Sequence, residues 1–328
     1  MPTNKPTTVY RKIFANSFKQ ILEHKTLWVF GIFAGLISTG GVVDIAISSL
    51  QRVNKTGTLL DQLMDRSFFG YTLFAQYIEQ LLTLGPSRST LILIMFVALF
   101  ILLTFAGVYS QTVLILTAEN KKIKHRELVF KKAPKYFIRI LTIDILAKTL
   151  MTVLTVVFSL PVLLYTIKTS VFSFSLMFLQ TLLFIPLIIL INILAMIAMI
   201  HIVDHGSSIV NALHVALKVI HKQWLAAFEF GLLLFSIVLF SGITLLLAST
   251  LLLIPYALIY SAALFTGSYQ IFLAANVIFG ILFLVIIVAF AGGIVSFQYN
   301  AWYRFYQHAI HKNYANIAFS KLLRIFRS

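Results

Sequence analysis

The chain has no cysteine in 328 residues. That excludes disulfides, cysteine-ligated zinc or iron–sulfur clusters and thiol chemistry, and it leaves the redox state of the compartment unread. Charge is also scarce: charged residues make up 11% of the chain, against about a quarter in a soluble domain. Acid is the scarcer sign, with 10 Asp plus Glu facing 26 Lys plus Arg. Catalytic motifs are missing too. There is no glycine-rich phosphate loop, no GxSxG elbow and no carboxylate–histidine cluster at active-site spacing. The expectation is therefore a protein that is not an enzyme and carries no metal and no cofactor.

What fills the chain instead is apolar: 60% of residues are hydrophobic and the mean hydropathy is +0.95. A membrane-spanning helix needs roughly 20 mostly apolar residues. Runs of that kind occupy approximately 27–50, 90–118, 140–167, 172–203, 224–260 and 269–303. Pro161, Pro186 and Pro255 fall within the third, fourth and fifth, where a proline removes one backbone hydrogen bond and bends the helix. The fifth run is long enough for a tilted helix with an irregular end or for a re-entrant pair. The fold class expected is all-α, a polytopic helical membrane protein of about six transmembrane helices.

Three times, a short basic amphipathic stretch leads into a pair of these runs, at 10–25, 121–139 and 207–222. The first and third share lettering: Phe18-Lys19, Ile21, His24-Lys25 and Trp28 correspond to Leu217-Lys218, Ile220, His221-Lys222 and Trp224. The chain thus reads as one transmembrane domain over 1–328, with repeat-like units at about 10–118, 119–204 and 205–304 and a tail at 305–328. Of the Lys and Arg residues, twenty lie in 1–26, 119–139, 204–223 and 304–328, five in the alternate loops, and Lys148 within a span. Such an excess marks the cytoplasmic side. It places both termini inside an inner, cell membrane and requires an even number of spans. All eight histidines fall on or near the same side.

Before the first run, basic residues extend over an amphipathic stretch, and no small-residue cleavage pattern follows, so an uncleaved first span is expected. The outer segment 51–89 carries Leu59, Leu63, Leu73, Tyr77 and Leu81 at helical spacing beside Asp61, Asp65 and Glu79. It reads as a helical hairpin broken near Gly70 and lying on the outer surface.

The start of the first run, LWVFGIFAGL, and the unit VDHGSSIVNALHVALKVIHKQWLAAFEFGLL carry a resemblance. Amphipathic helices leading into odd-numbered spans resemble a broad group of uncharacterised bacterial six-span integral membrane proteins, and through them the membrane domain attached to some glycerophosphodiester phosphodiesterases. The resemblance implies a fold and membrane residence. The catalytic domain of that family has no counterpart in this sequence, so no active-site residue is carried over.

Few polar residues lie at membrane depth. Asp144 and Lys148, four apart, share one helix face, as a proton or ion relay or as an ion pair near the interface with Lys148 snorkelling. Glu229 is a lone carboxylate in AAFEFGLL and must face the bundle or an aqueous cavity. Protonation, or a lysine such as Lys148 across helices, would relieve its cost. Asp44 reads as an end cap of the first span. His201 and His205 have the spacing of a zinc helix around Asp204, without the glutamate or a third ligand, while Gly206 after them reads as a helix C-cap. Asn192, Asn276, Gln111, Gln180, Gln298 and Asn300 suit hydrogen bonds between helices or a polar path. The small residues at 289–293 and Gly231 suit close helix packing. Tyr299, Trp302, Tyr303 and Tyr306 around Arg304 read as an interfacial aromatic belt.

The basic stretches carry the functional expectation. Phe14, Phe18, Ile21 and Leu22 form an apolar stripe flanked by Arg11, Lys12, Lys19 and Lys25, and the second stretch brings Lys131, Lys132 and Lys135. A juxtamembrane Lys or Arg gains about 1 kcal/mol near anionic lipid. Arg11, Lys12, Lys19, Lys131, Lys132 and Lys135 are thus the candidate contacts to anionic headgroups. The leading expectation is a lipid-interacting scaffold or accessory subunit at the cytoplasmic leaflet, accompanied by a membrane-protein partner or a second copy and binding no nucleic acid. The alternative is a small transporter or permease subunit using Glu229, Asp144 and Lys148. An intramembrane lipid enzyme is the weakest of the three.

Overall fold

In a computed structural model of the chain, residues 9–38, 86–119, 126–167 and 171–311 are described. Seven helices follow in order: α1 (Val9–Glu23), α2 (Thr26–Ser38), α3 (Pro86–Glu119), α4 (Arg126–Ile167), α5 (Val171–His205), α6 (Ile209–Thr266) and α7 (Tyr269–His311). The last five are long and apolar enough to cross a membrane, and α2 is a shorter apolar helix of 13 residues. In lipid every backbone polar group needs an internal partner, and helices supply one. The protein is an all-α, polytopic helical membrane protein. The expected outer hairpin, Asp44 and the segment 120–125 between α3 and α4 lie outside the described residues.

The three basic stretches take three different local forms. The first is the separate helix α1, joined to α2 through His24 and Lys25, where Trp28 donates from its indole to the Ile21 carbonyl at 3.2 Å. The second, from Arg126 onward, runs without interruption into its span as α4. The third opens α6, and the backbone leaves helical angles at Gln223 (φ −140°, ψ 29°). In the first unit the chain thus leaves the helix at its His-Lys pair and in the third immediately after one, in keeping with their shared lettering. Pro186 and Pro255 sit inside helices, and the backbone of α6 leaves helical angles at Gln223 rather than at Pro255. Because α6 continues unbroken from there to Thr266, the re-entrant alternative does not hold.

Two tight joins set the antiparallel order. Gly206 (φ +64°) ends α5 with its N–H on the Ile202 carbonyl at 2.9 Å, and Ser208 caps α6 by accepting from the Asn211 N–H. Gly267 (φ +63°) ends α6, with its own N–H on Leu264 and that of Ser268 on Ala263, and α7 begins two residues later. Both glycines take the left-handed conformation that a side chain penalises and that ends helices commonly.

Each span packs on the next, α2 on α3, α3 on α4 and so on to α7, and α7 closes back on α2. The closure is tight. A Cβ on Gly31 would collide with the Gly292 carbonyl and the Ser296 hydroxyl, and one on Gly292 would collide with the Trp28 carbonyl and Ile32. The Ser296 hydroxyl donates to the Leu27 carbonyl at 2.7 Å. With no hydrophobic force between helices in lipid, such backbone approach is what gives them contact energy. Of the small residues at 289–293, Gly292 and Gly293 pack closely, both on α2, as does Gly231, against Ile193 and Trp302.

The buried core gathers at one end. It takes the starts of α2, α4 and α6, the ends of α3, α5 and α7, and one face of α1 through Tyr10, Ile13, Ser17 and Ile21. Starts and ends alternate, so successive spans run in opposite directions. Toward the opposite end the helices show apolar side chains outward, and in α3 every residue from 91 to 102 is exposed.

Candidate functional site

The core end is also the end that carries the basic stretches, and α1 is its keystone. Phe14 stacks on Phe230 with ring centroids 5.2 Å apart, Phe230 stacks on Phe305 at 4.5 Å, and Trp302 meets Phe230 edge-on at 5.0 Å. Helical spacing of 10, 13, 17 and 21 turns one face of α1 onto this stack. Of the apolar stripe expected on α1, Ile21 is buried and Phe14 packs on the core, while Phe18 and Leu22 point outward. The stripe is thus divided between the bundle and the surroundings.

Beside the stack the Tyr10 hydroxyl donates to Glu229 Oε2 at 3.3 Å. Burial, and then the adjacent carboxylate, push the Tyr10 phenol above its ordinary range, so it remains a donor. Glu229 Oε1 is buried without a hydrogen bond. The partner expected for Glu229, Lys148, is engaged elsewhere: its ammonium lies 2.5 Å from Asp144 Oδ2, one helical turn away on α4. The reason is reach. An i, i+4 pair closes within its own helix, whereas Glu229 meets the Tyr10 hydroxyl of α1, whose Tyr10 and Phe14 rings lie against Phe230 one residue on. Gln111 of α3 lies near Asp144, fully buried, with both amide atoms lacking a hydrogen bond. Among the described residues no hydrogen bond or ion pair joins Glu229 to Asp144 or Lys148, so the three expected path residues fall into two separate groups.

A second polar seam runs along α7. Arg304 donates through Nε to Asn300 Oδ1 at 2.7 Å and through Nη2 to Gln20 Oε1 at 2.5 Å. The Gln20 amide nitrogen donates in turn to the Thr117 carbonyl at 3.0 Å, which ties α1, α7 and α3 together. The aromatic belt expected around Arg304 is not a belt: Tyr299, Trp302, Tyr303 and Tyr306 are buried in the bundle, because α7 is enclosed by α2, α3, α6 and α1 at this end.

At the end of α5, Asp204 accepts from Tyr303 at 3.1 Å and from Gln307 at 3.0 Å, with His205 Nδ1 at 3.3 Å. His201 Nδ1 lies 2.5 Å from the Tyr306 hydroxyl, and its ring stacks on His205 at 4.6 Å. The two histidines spaced like a zinc helix are thus tied to α7 and to Asp204. No group of three metal-capable side chains occurs among the described residues. Arg139 of α4 donates to the Gly206 and Ser207 carbonyls at 2.7 and 3.2 Å, completing the cap of α5.

Among the other polar residues, Asn276 accepts from Tyr256 across α6 and α7 at 2.9 Å, whereas Asn192 mainly returns to its own helix, donating to the Ile188 carbonyl. Arg11, Lys12, Lys19, Lys131, Lys132 and Lys135 are all exposed, beside exposed Phe18, Leu22 and Ile138. Sequence reasoning misses Tyr10, Gln20 and Asn300 as partners of buried charge. For Tyr10 the helical spacing with Ile13, Ser17 and Ile21 is the available signal.

Compared with protein-family models, with curated proteins and with solved structures, the chain matches none.

Proposed function

We propose that the protein is a non-enzymatic component of an inner, cell membrane, with both termini in the cytoplasm, which gathers anionic lipid at the cytoplasmic leaflet as a scaffold or an accessory subunit for a membrane partner or a second copy. One observation carries the reading: the exposed cations of α1 and α4 flank outward-facing apolar residues at the same end as the packed core. That is the composition of an interfacial surface, with apolar groups reaching the acyl boundary and cations reaching the headgroups. Six cations at about 1 kcal/mol each near an anionic surface give several kcal/mol, enough to enrich such lipids locally. The reading is tested by purifying the Lys131→Glu, Lys132→Glu, Lys135→Glu triple variant from mixed vesicles. Its co-purifying anionic lipid should fall severalfold, and an unchanged lipid profile would sink the proposal.

A second reading, a small transporter or permease subunit, draws on the Gln111 amide and Glu229 Oε1, buried polar atoms without partners that a passing solute could satisfy. Proteoliposome flux that survives both Glu229→Gln and Asp144→Asn would end that reading.

A further inference from the structure

Arg304 is held in place but not neutralised. It is half-buried near the end of α7, and both of its acceptors, Gln20 Oε1 and Asn300 Oδ1, are neutral amides. A guanidinium has five N–H donors. Two are used, on Nε and one side of Nη2, which leaves the Nη1/Nη2 end of the fork without a partner among the described residues. That end is not sealed, since no Arg304 nitrogen is among the buried, unpartnered atoms.

The four carboxylates whose side chains the structure describes are committed elsewhere. Glu23 pairs with Lys19 at 3.8 Å on the outside of α1, Asp144 with Lys148, Glu229 with Tyr10, and Asp204 with Tyr303, Gln307 and His205. His308, the next turn of α7, uses its Nδ1 on the Arg304 carbonyl. A charge taken partly out of water requires a counter-charge or dense hydrogen bonding. In a chain of net charge +16 the counter-charge is most readily supplied from outside.

Gln20 fixes the fork. Its amide nitrogen is anchored on the Thr117 carbonyl, so its oxygen is turned to Arg304 and the guanidinium plane is set before any anion arrives. A planar fork with two parallel N–H groups matches a phosphate bidentately, which a lysine does not. The position is at the basic end, on the same helix α1 that exposes Phe18 and Leu22 on another face, and a helix that pairs exposed apolar groups with cations lies where acyl chains and headgroups meet. We propose that Arg304 seats the phosphate of one anionic phospholipid in the seam between α1 and α7. This seat rests on the cytoplasmic-leaflet reading and adds to it a single, stoichiometric site distinct from the diffuse surface of α1 and α4.

The test uses the full chain reconstituted in vesicles of phosphatidylglycerol and phosphatidylcholine, extracted in a neutral detergent and weighed by native mass spectrometry. One phosphatidylglycerol per chain is expected to remain, and Arg304→Gln should weaken its retention at least about ten-fold, the value of a charge-assisted hydrogen bond. Arg304→Lys keeps the charge and should retain part of the affinity. If it fails as completely as Arg304→Gln while both variants stay folded, charge recognition is overturned. Inorganic phosphate alone should leave the lipid bound, and displacement of the lipid by phosphate would reassign the seat to a free anion. A wild type that holds no lipid until Glu119→Gln is introduced would mean that Glu119 at the end of α3 neutralises Arg304 from within, which also overturns the proposal. The Lys131, Lys132, Lys135 charge reversal separates the two readings: it should lower bulk anionic lipid and leave the single bound lipid in place. Loss of bulk enrichment in that variant with an Arg304→Gln that still retains its lipid refutes the seat alone.

Discussion

The two ends of the bundle are both rich in large apolar residues and behave differently. At the basic end Phe230 is fully buried, in ring contact with Tyr10, Phe14, Trp302 and Phe305. Ten residues further along the same helix, Phe240 is 67% exposed. Hydrophobicity does not separate them, since in a membrane an apolar side chain is equally at home against lipid and against a neighbouring helix. What separates them is the presence of small residues and polar anchors. Gly31, Gly292 and Ser296 let backbones touch, and Tyr10–Glu229, Gln20–Arg304 and Trp28–Ile21 fix α1 across the base. Toward the far end Tyr256–Asn276 links α6 to α7, but long stretches of α3, α6 and α7 are exposed apolar surface. Packing in this protein is localised by exceptions to its apolar composition.

That contrast can be broken most forcefully at the closest contact. Gly292→Leu would drive a side chain into the Trp28 carbonyl and Ile32, and should cost about 3 kcal/mol or more, seen as a loss of monodisperse, heat-stable protein in detergent. The equivalent change at Gly242, where a Cβ meets nothing, should be silent in the same assay. Next in size is truncation of the aromatic core. Phe230→Ala should cost about 3 kcal/mol, whereas Phe240→Ala should stay within about 0.5 kcal/mol, and equal thermal shifts would erase the distinction between the two ends. The smallest effect concerns the anchor of α1. A double-mutant cycle of Tyr10→Phe and Glu229→Gln should return a coupling of about 1 kcal/mol, and a coupling of zero would show that α1 is held by its rings alone.

Much of the fold is legible in the order of residues alone. The helical class, the repeated basic stretches, the glycine after His205 and the i, i+4 pairing of Asp144 with Lys148 all follow from local spacing. The partner of Glu229 does not, because it lies 219 positions away, beyond any periodicity. Nor does the burial of Tyr299, Trp302, Tyr303 and Tyr306: an aromatic cluster near an arginine looks the same whether it lines an interface or a core, and only the covering helix decides. The divided stripe of α1 is the intermediate case. Its buried face is present in the spacing of Tyr10, Ile13, Ser17 and Ile21, but Phe14, Phe18 and Leu22 make the adjacent face the more apolar of the two.

The contact that closes the bundle also sets an order of events during synthesis. Leu27 and Ser296, joined by one hydrogen bond, are 269 residues apart. At roughly 5–20 residues per second, the glycine face of α2 waits on the order of half a minute after translation until the segment that will cover it exists. Through that interval the first span lives in the bilayer without its final neighbour, open to chaperones, insertases and other nascent chains. A truncation that ends before α7 would therefore lose more than one helix, for it would leave the earliest part of the protein in its newborn state.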